Sequence, residues 1–354
     1  MSLVQFDIQN RIGIITLNRN EALNAINYEM FTVLHDYITQ WEEDPNIDAV
    51  VIKSNNEKAF CAGGDIKSLY NYRQNHKGQE ALPKFRQFFW DEYALNRMIH
   101  HYKKPYIALI NGIAMGGGLG VSMHGSHRIV SEDVRLAMPE TAIGFFPDVG
   151  SSYLFAQTPG YLGMFLGVTG WHMNAADAVY AGIATHFMPK EHFDTFLEAL
   201  IKVDTAGRAE EVIFELLDMF AGGEIPMLSE LQKNRDVIDS CFSENGLENI
   251  LTQLQLHKNT WAYKVLDKIE ELSPLSLRVT YELLKLAPKK DFDFLSHLDF
   301  ILSQNFVRSS EFFEGIRAKL IDKDGDPSWQ YKNIQDVPDN VVADFFKEVY
   351  SKNT

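Results

Sequence analysis

Two stretches between residues 106 and 150 decide the fold, YIALINGIAMGGG at 106–118 and PETAIGFFPDVG at 139–150. The first begins with an unbroken apolar run and reaches three consecutive glycines at 116–118. Glycines let the backbone approach a ligand closely, and N–H groups at the start of a helix attract anions. The first stretch therefore predicts a buried strand followed by an anion-binding loop built from backbone N–H groups.

The second stretch contributes two carboxylates in apolar surroundings. Glu140 follows Pro139, Asp148 follows Pro147, and phenylalanines lie between them. Burial disfavours the charged form of a carboxyl group, and two neighbouring acids raise each other's pKa. Paired acids with shifted pKa values are typical of acid–base catalysis. Glu140 and Asp148 are therefore predicted catalytic residues.

The composition is that of an ordinary folded protein and excludes several classes of function. The 354 residues are 45% hydrophobic and 23% charged, with a formal net charge of -15. This acidic balance argues against nucleic acid as a partner, because phosphate contacts need clustered Lys and Arg. The two cysteines, Cys61 and Cys241, are far apart and fit a reducing compartment. With no long apolar run and no basic leader, we expect no membrane contact and a cytoplasmic location.

Periodicity along the chain indicates an α/β core followed by a helical region. Up to residue 190, apolar strands alternate with helical segments, and a second glycine loop at 59–67 follows the apolar strand at 49–52. Ligands commonly bind at the carboxyl ends of such strands. After residue 190, apolar positions recur at helical spacing in segments 193–203, 209–220, 227–240, 247–271, 274–287 and 294–320. We therefore expect a core at 1–190 and a helical C-terminal region at 191–354 packed on it.

Familiar cofactor and metal motifs are absent from the sequence. It contains no G-x-G-x-x-G, G-x-x-x-x-G-K-[ST], G-x-S-x-G or H-E-x-x-H pattern, which argues against dinucleotide, nucleotide, serine-hydrolase and zincin chemistry. The acidic segment 322–326 departs from a calcium loop, because Pro327 stands where that loop requires glycine. No metal and no redox cofactor is predicted.

The ordered glycine and carboxylate motifs resemble the crotonase (enoyl-CoA hydratase/isomerase) superfamily. The matching segments are 60–66, 111–112, 116–118 and 139–140. Within the superfamily the sequence is most similar to the 3-hydroxyisobutyryl-CoA hydrolases. This resemblance extends through residues 92–96 and 181–187 to the tail at 318–324, and so covers almost the whole chain.

The resemblance implies a repeated ββα superhelix that holds an acyl-CoA thioester with its carbonyl oxygen between two backbone N–H groups. By position these donors are Gly64 and Gly117, and losing one such donor typically costs about 10²–10³ in rate. The resemblance further implies hydrolysis of 3-hydroxyisobutyryl-CoA to 3-hydroxyisobutyrate and CoA in valine catabolism. Substrate contacts would come from Glu92 and Asp65 as well as from the two glycines, Glu140 and Asp148. Coenzyme A is then part of the substrate and no cofactor is needed.

One position separates a hydrolase from a hydratase. Hydratases of the superfamily carry a glutamate three residues after the second oxyanion-hole glycine, and here that residue is Gly120. Glu140 then either attacks the thioester carbonyl or activates a water molecule, and the sequence leaves both routes open. Asp148 is expected to engage the 3-hydroxyl group or the water, with a helix N-cap as its alternative role. For Glu92 the alternative is a solvated helix face.

Two other functions stay open at this point. An enoyl-CoA hydratase or isomerase on the same fold is disfavoured by Gly120. A non-catalytic acyl-CoA-binding scaffold is disfavoured because it needs no pair of buried acids facing N–H donors. A homo-oligomer is also considered, since superfamily members often trimerise, although the helical tail could cap that interface.

Overall fold

The computed structural model describes residues 2–76 and 78–348. Residues 1 and 77 of the expected core, and 349–354 of the expected helical region, lie outside the described part. The strands are β1 (Val4–Gln9), β2 (Ile12–Leu17), β3 (Ala49–Ser54), β4 (Ala59–Cys61), β5 (Tyr106–Ile110), β6 (Ile113–Met115), β7 (His127–Val130), β8 (Arg135–Ala137) and β9 (His186–Phe187).

The helices follow and separate these strands, and the last of them ends at Phe345. They are α1 (Tyr28–Glu43), α2 (Ile66–Asn75), α3 (Leu82–His100), α4 (Gly117–Gly120), α5 (Ser151–Ala156), α6 (Leu162–Thr169), α7 (Ala175–Tyr180), α8 (Phe193–Lys202), α9 (Ala209–Phe220), α10 (Glu230–Lys233), α11 (Arg235–Phe242), α12 (Leu247–His257), α13 (Thr260–Glu270), α14 (Pro274–Leu286), α15 (Phe292–Phe306), α16 (Glu311–Ile316) and α17 (Asp339–Phe345). The α/β class predicted from the sequence is confirmed.

By its contacts the chain divides into two compact units, each assembled from three segments. The first unit contains Met1–Gly64, Ala94–Ala137 and His172–Lys233. The second unit contains Asp65–Tyr93, Met138–Trp171 and Asn234–Thr354. The boundary expected at residue 190 falls just after β9, and the described residues beyond it form helices and loops. As a domain boundary it stays a prediction.

The first unit is built on two sheets. The larger sheet has the strand order β1-β2-β3-β5-β7-β9, in which β1 and β2 form an antiparallel hairpin and the other pairs are parallel. The smaller sheet has the order β4-β6-β8 and is parallel throughout. Each strand of the smaller sheet leads into one of the loops that carry the predicted site residues.

The larger sheet is covered on one face by the helices α8 and α9. Alternate residues of the strands, such as Ile12, Val51 and Ile107, pack there against Phe196 and Ile213. Residues two apart on a strand share a face, so this alternation places the same set of side chains in one core. Burial of that apolar surface holds the sheet and its loops in place.

The second unit has an aromatic core around the segment that carries Glu140 and Asp148. The centroid of the Phe145 ring lies 5.4 Å from that of the Phe89 ring and 4.6 Å from that of the Phe312 ring. The Phe146 ring stacks on that of Phe306 at 5.5 Å. Aromatic pairs at such distances are favourable beyond the apolar area that they bury. The two phenylalanines between the acids therefore anchor this segment in the unit.

Three of the segments with helical spacing contain more than one helix in the structure. The segment 247–271 is the pair α12 and α13, because Lys258 adopts a left-handed conformation, with φ of +48°, and ends the first helix. The side chain of Asn259 then accepts the Ala262 N–H at 2.7 Å and begins the second helix. Segments 227–240 and 294–320 are also interrupted, after α10 and after α15.

Candidate active site

The predicted oxyanion-hole residues lie on two glycine loops of the first unit. Gly64 follows β4, and the loop is held where the Ile26 N–H donates to the carbonyl oxygen of Gly63 at 2.8 Å. Gly117 follows β6 and is the first residue of α4. The first N–H groups of a helix have no acceptor within that helix, so the Gly117 N–H is available to a ligand.

The two glycine loops pack directly on each other. A Cβ atom added to Gly63 would lie 3.2 Å from the Met115 carbonyl oxygen and 3.9 Å from the Gly117 nitrogen. A Cβ atom on Gly118 would lie 2.3 Å from the carbonyl oxygen of Cys61, which is a clash with backbone. Only glycine permits this approach at 118. Two N–H-bearing loops in contact have the character of a site for a developing negative charge.

Three buried acids of the second unit form what we call the acid cluster: Glu92, Glu140 and Asp148. Their exposed fractions are 3%, 7% and 5%. The Tyr93 hydroxyl donates to Asp148 Oδ2 at 2.7 Å, and Glu140 Oε2 has no hydrogen-bond partner among the described residues. The structure thus brings together the three acids predicted from the sequence.

The chain holds Glu140 in place with a tight turn. Glu140 begins a 3₁₀ turn, Glu140–Ile143, and its carbonyl oxygen accepts the Phe145 N–H at 3.0 Å. Gly144 closes the turn with φ of +67°, and a Cβ atom there would lie 2.3 Å from the Glu311 carbonyl oxygen. Glycine is therefore required at 144 for both conformation and space.

Burial and mutual repulsion shift the acids of the cluster towards their neutral forms. Burial raises the pKa of Glu140 well above its usual range, and the charges of Asp148 and Glu92 raise it further. Burial raises the pKa of Asp148 to about 7, against the effect of the Tyr93 hydrogen bond. The pKa of Glu92 is also raised, by burial and by Asp148. Such a group loses its protons in linked steps, one acid ionising while its charge keeps the others protonated.

Both alternative roles considered for the acids are wrong. The helix after Asp148, α5, has Gly150 as its N-cap and no side-chain cap, so Asp148 is not an N-cap residue. Glu92 is buried and does not lie on a solvated helix face. Asp65, by contrast, caps α2 by accepting the Ser68 N–H at 3.2 Å. The substrate contact of Asp65 stays a prediction.

Sequence reasoning missed two residues beside the acid cluster. Tyr93 is buried, and its pKa is raised by burial and by the charge of Asp148, so it remains a hydroxyl donor. Asp299 on α15 is fully buried, and its Oδ2 accepts the Gly150 N–H at 2.8 Å. One signal was visible: Asp299 interrupts the apolar stripe of α15 between Leu295 and Leu302. An Asp or Glu side chain on the buried face of a helix almost always has a hydrogen-bonding or charged partner.

Two surface clefts contain none of the predicted site residues. One has a volume of about 280 Å³ and lies in the second unit beside Tyr161 and Lys285. The other has a volume of about 370 Å³ and lies in the first unit beside Arg135 and Lys233. In residues 2–76 and 78–348, no group of three or more His, Cys, Asp or Glu side chains is placed to hold a metal ion. No helix within the same ranges is long and apolar enough to cross a lipid bilayer.

Comparison with known proteins places the chain among acyl-CoA enzymes. A family model described as enoyl-CoA hydratase/isomerase matches residues 12–346. The 3-hydroxyisobutyryl-CoA hydrolase of Xenopus tropicalis is 38% identical over 94% of this chain and 86% of its own length. That of Bos taurus is also 38% identical, over 96% of this chain and 87% of its own length.

A solved structure gives the same result for the fold. A carnitinyl-CoA dehydratase from Mycobacterium thermoresistibile superposes with a TM-score of 0.90 at 33% identity. The match covers 99% of this chain and 98% of that structure. The predicted crotonase-like α/β fold is therefore confirmed.

The comparisons also correct one expectation and settle the family. Both hydrolase relatives are named as mitochondrial proteins, so the expected cytoplasmic location is wrong. The matches in sequence and in structure extend over nearly the whole chain. The chain belongs to the enoyl-CoA hydratase/isomerase family, in the branch that contains the 3-hydroxyisobutyryl-CoA hydrolases.

Proposed function

We propose that this chain hydrolyses the thioester bond of 3-hydroxyisobutyryl-CoA and releases 3-hydroxyisobutyrate and CoA. The observation that carries the proposal is the 38% identity to a 3-hydroxyisobutyryl-CoA hydrolase over 94% of the chain. The buried acids and the two glycine loops supply the chemical groups that such a reaction needs. With this substrate the enzyme would act in valine catabolism.

In the proposed mechanism, the N–H groups of Gly64 and Gly117 bind the carbonyl oxygen of the thioester. Attack on the carbonyl carbon converts that oxygen into an oxyanion, which these fixed donors stabilise more than they stabilise the ground state. Support comes from the packing of the two loops and from the position of Gly117 at the start of α4. This stabilisation typically contributes about 10²–10³ in rate for each donor.

Glu140 is the proposed base or nucleophile. As a base it takes a proton from water while the water oxygen bonds to the carbonyl carbon; the carbon–sulfur bond then breaks, and the thiolate of CoA accepts a proton. As a nucleophile it forms an anhydride that water cleaves to the same products. Its Oε2 has no partner within the described residues and is therefore available for either step.

Asp148 and Glu92 are the residues proposed to recognise the 3-hydroxyl group of the substrate by hydrogen bonds. Both are buried, and the raised pKa of each acid leaves one of them protonated while the other accepts a hydrogen bond. A hydroxyl group both donates and accepts, so it complements such a pair. A site of this kind strongly disfavours a substrate that lacks the hydroxyl, because buried polar groups are then left unpaired.

Hydration or dehydration of an acyl-CoA is the second candidate function. The fold match to a structure named as a carnitinyl-CoA dehydratase favours it. Gly120 disfavours it, because the position that holds the second glutamate of the hydratases has no side chain here. A non-catalytic acyl-CoA-binding scaffold is the third candidate, and the shifted pKa values of the acid cluster disfavour it.

One experiment with two substrates separates the three candidates. Purified protein is given 3-hydroxyisobutyryl-CoA, with free thiol measured, and crotonyl-CoA, with loss of the double bond measured. A hydrolase releases thiol from the first and leaves the second unchanged. Hydration of crotonyl-CoA without thiol release would support the hydratase, and no reaction on either would support the scaffold.

The proposed reaction involves no cofactor beyond the CoA of the substrate, and the proposal includes no nucleic-acid or membrane partner. A homo-oligomer is also proposed, as in many members of the superfamily. Light scattering of the purified protein tests it, and a mass equal to that of a single chain would refute it.

A further inference from the structure

Asp299 is a fully buried acid that holds the backbone beside Asp148. It lies on α15, and its Oδ2 accepts the Gly150 N–H at 2.8 Å. Its other oxygen, Oδ1, has no partner among the described side chains and backbone groups. A buried acid is costly unless it is paired or protonated, so its presence on an apolar helix face calls for a role.

The backbone that Asp299 holds has an unfavourable conformation. Val149 and Gly150 both have positive φ, of +52° and +74°. A β-branched residue rarely adopts a left-handed conformation, because its side chain clashes with the backbone. Such residues persist only where the surroundings fix them, and they are concentrated at functional sites. The hydrogen bond from Gly150 to Asp299 is one such fixing contact.

Asp148 is therefore held from two sides. Its carboxylate accepts the Tyr93 hydroxyl at 2.7 Å, and the backbone two residues later is held by Asp299. We propose that Asp299 is a positioning residue that keeps the carboxylate of Asp148 in the orientation needed to form a hydrogen bond with the 3-hydroxyl group of the substrate. This inference rests on the proposed function for the role of Asp148, but not for the backbone contact.

The protonation of Asp299 decides which substitution preserves the contact. Burial raises the pKa of Asp299 well above its usual range, and the charge of Asp148 adds to this. A neutral carboxylic acid has one acceptor oxygen and one donor hydroxyl. Asparagine has nearly the same shape, with an oxygen to accept the Gly150 N–H and an amino group in place of the hydroxyl. Asp299→Asn therefore preserves the contact, and Asp299→Ala removes it.

The test compares these two variants in full-length protein. Ser303→Ala is the matched control, because it removes a buried hydroxyl from the same helix, where Ser303 donates to the Phe300 carbonyl oxygen at 2.8 Å. The first measurement is kcat/KM for thiol release from 3-hydroxyisobutyryl-CoA and from isobutyryl-CoA. The second is hydrogen exchange of a peptide that covers residues 146–152.

Asp299→Ala is expected to lower kcat/KM for the hydroxylated substrate on the order of 10²-fold, the cost typical of a misplaced group. The loss for isobutyryl-CoA should be much smaller, so the selectivity between the substrates falls. Exchange in residues 146–152 should accelerate. Asp299→Asn and Ser303→Ala should leave selectivity and exchange close to wild type.

Equal losses on both substrates, or an Asn variant as impaired as the Ala variant, would overturn the inference. If the Ala variant does not fold, the Asn variant still tests the inference: selectivity and exchange close to wild type support it, and lower selectivity or faster exchange overturns it. If wild-type protein releases no thiol, the proposed function fails by itself. In that case, unchanged exchange in Asp299→Ala refutes the backbone contact, and accelerated exchange supports it.

Discussion

Replacement of Asp148 by asparagine should stabilise the fold, and the gain should grow with pH. The pKa of Asp148 is raised from 3.8 to about 7 in the folded protein, mainly by burial. A difference of one pKa unit between the folded and unfolded states corresponds to about 1.36 kcal/mol. Ionisation of Asp148 therefore costs the folded state about 4 kcal/mol by neutral pH. Asparagine carries no charge and avoids that cost.

The direction of this pH dependence follows from the number of protons that Asp148 binds in the folded and unfolded states. Below pH 3.8, Asp148 is protonated in both states and costs nothing. Between pH 3.8 and about 7 the unfolded chain releases the proton and the folded protein keeps it, so the free energy of unfolding decreases as the pH rises. Above pH 7 the decrease is complete. Removing the charge of Asp148 also lowers the pKa of Glu92 and Glu140, which changes stability in the same direction.

The assay is urea unfolding of wild type and Asp148→Asn at several pH values from 4 to 8.5. The difference in unfolding free energy should be small at pH 4, because Asp148 is then protonated in the folded protein and an asparagine oxygen can accept the Tyr93 hydrogen bond in place of the neutral acid. It should then rise to about 4 kcal/mol by pH 8. Asp218→Asn is the control, since Asp218 is exposed on α9 and its substitution should show no such trend.

A difference in unfolding free energy that does not change with pH, or that decreases as the pH rises, would refute the claim that burial disfavours the ionised form of Asp148. The same variant should be slower on 3-hydroxyisobutyryl-CoA. A residue that costs stability and supports activity is what selection for function retains.

Three further predictions concern activity. Glu140→Gln should lower kcat about 10²-fold or more on every acyl-CoA, as measured by thiol release, and a loss confined to one substrate would count against its role as base or nucleophile. Gly117→Pro should abolish turnover in a folded protein, checked by circular dichroism, because it removes one oxyanion donor; retained activity would move the oxyanion hole elsewhere. Wild-type protein should cleave 3-hydroxyisobutyryl-CoA faster than isobutyryl-CoA, and equal rates would remove the proposed role of Asp148 and Glu92.

The sequence predicted those features that local chemistry controls. The strand at 106–110 has the bounds given by its apolar run, and the glycine loops follow their strands as expected. The burial of Glu140 and Asp148 followed from the apolar residues around them. In each case the information lies within a few neighbouring residues.

Features that depend on distant residues could not be predicted in this way. Asp299 is 149 residues from Gly150, to which it is bonded, and only the packing of α15 brings them together. The break between α12 and α13 depends on a single residue, Lys258, whose left-handed conformation leaves the apolar spacing of the sequence unchanged. Hydrophobic periodicity therefore indicates helices better than it locates their ends.

Thioester hydrolysis by this chain is tested by product analysis after incubation of purified protein with 3-hydroxyisobutyryl-CoA. Hydrolysis yields free CoA and 3-hydroxyisobutyrate in equal amounts, which mass spectrometry measures in one sample. A hydratase acting in reverse would instead remove water and leave methacrylyl-CoA, with the thioester intact and no free thiol. For the proposed hydrolase we expect equal amounts of CoA and 3-hydroxyisobutyrate; methacrylyl-CoA without free CoA, or unchanged substrate, would contradict hydrolysis.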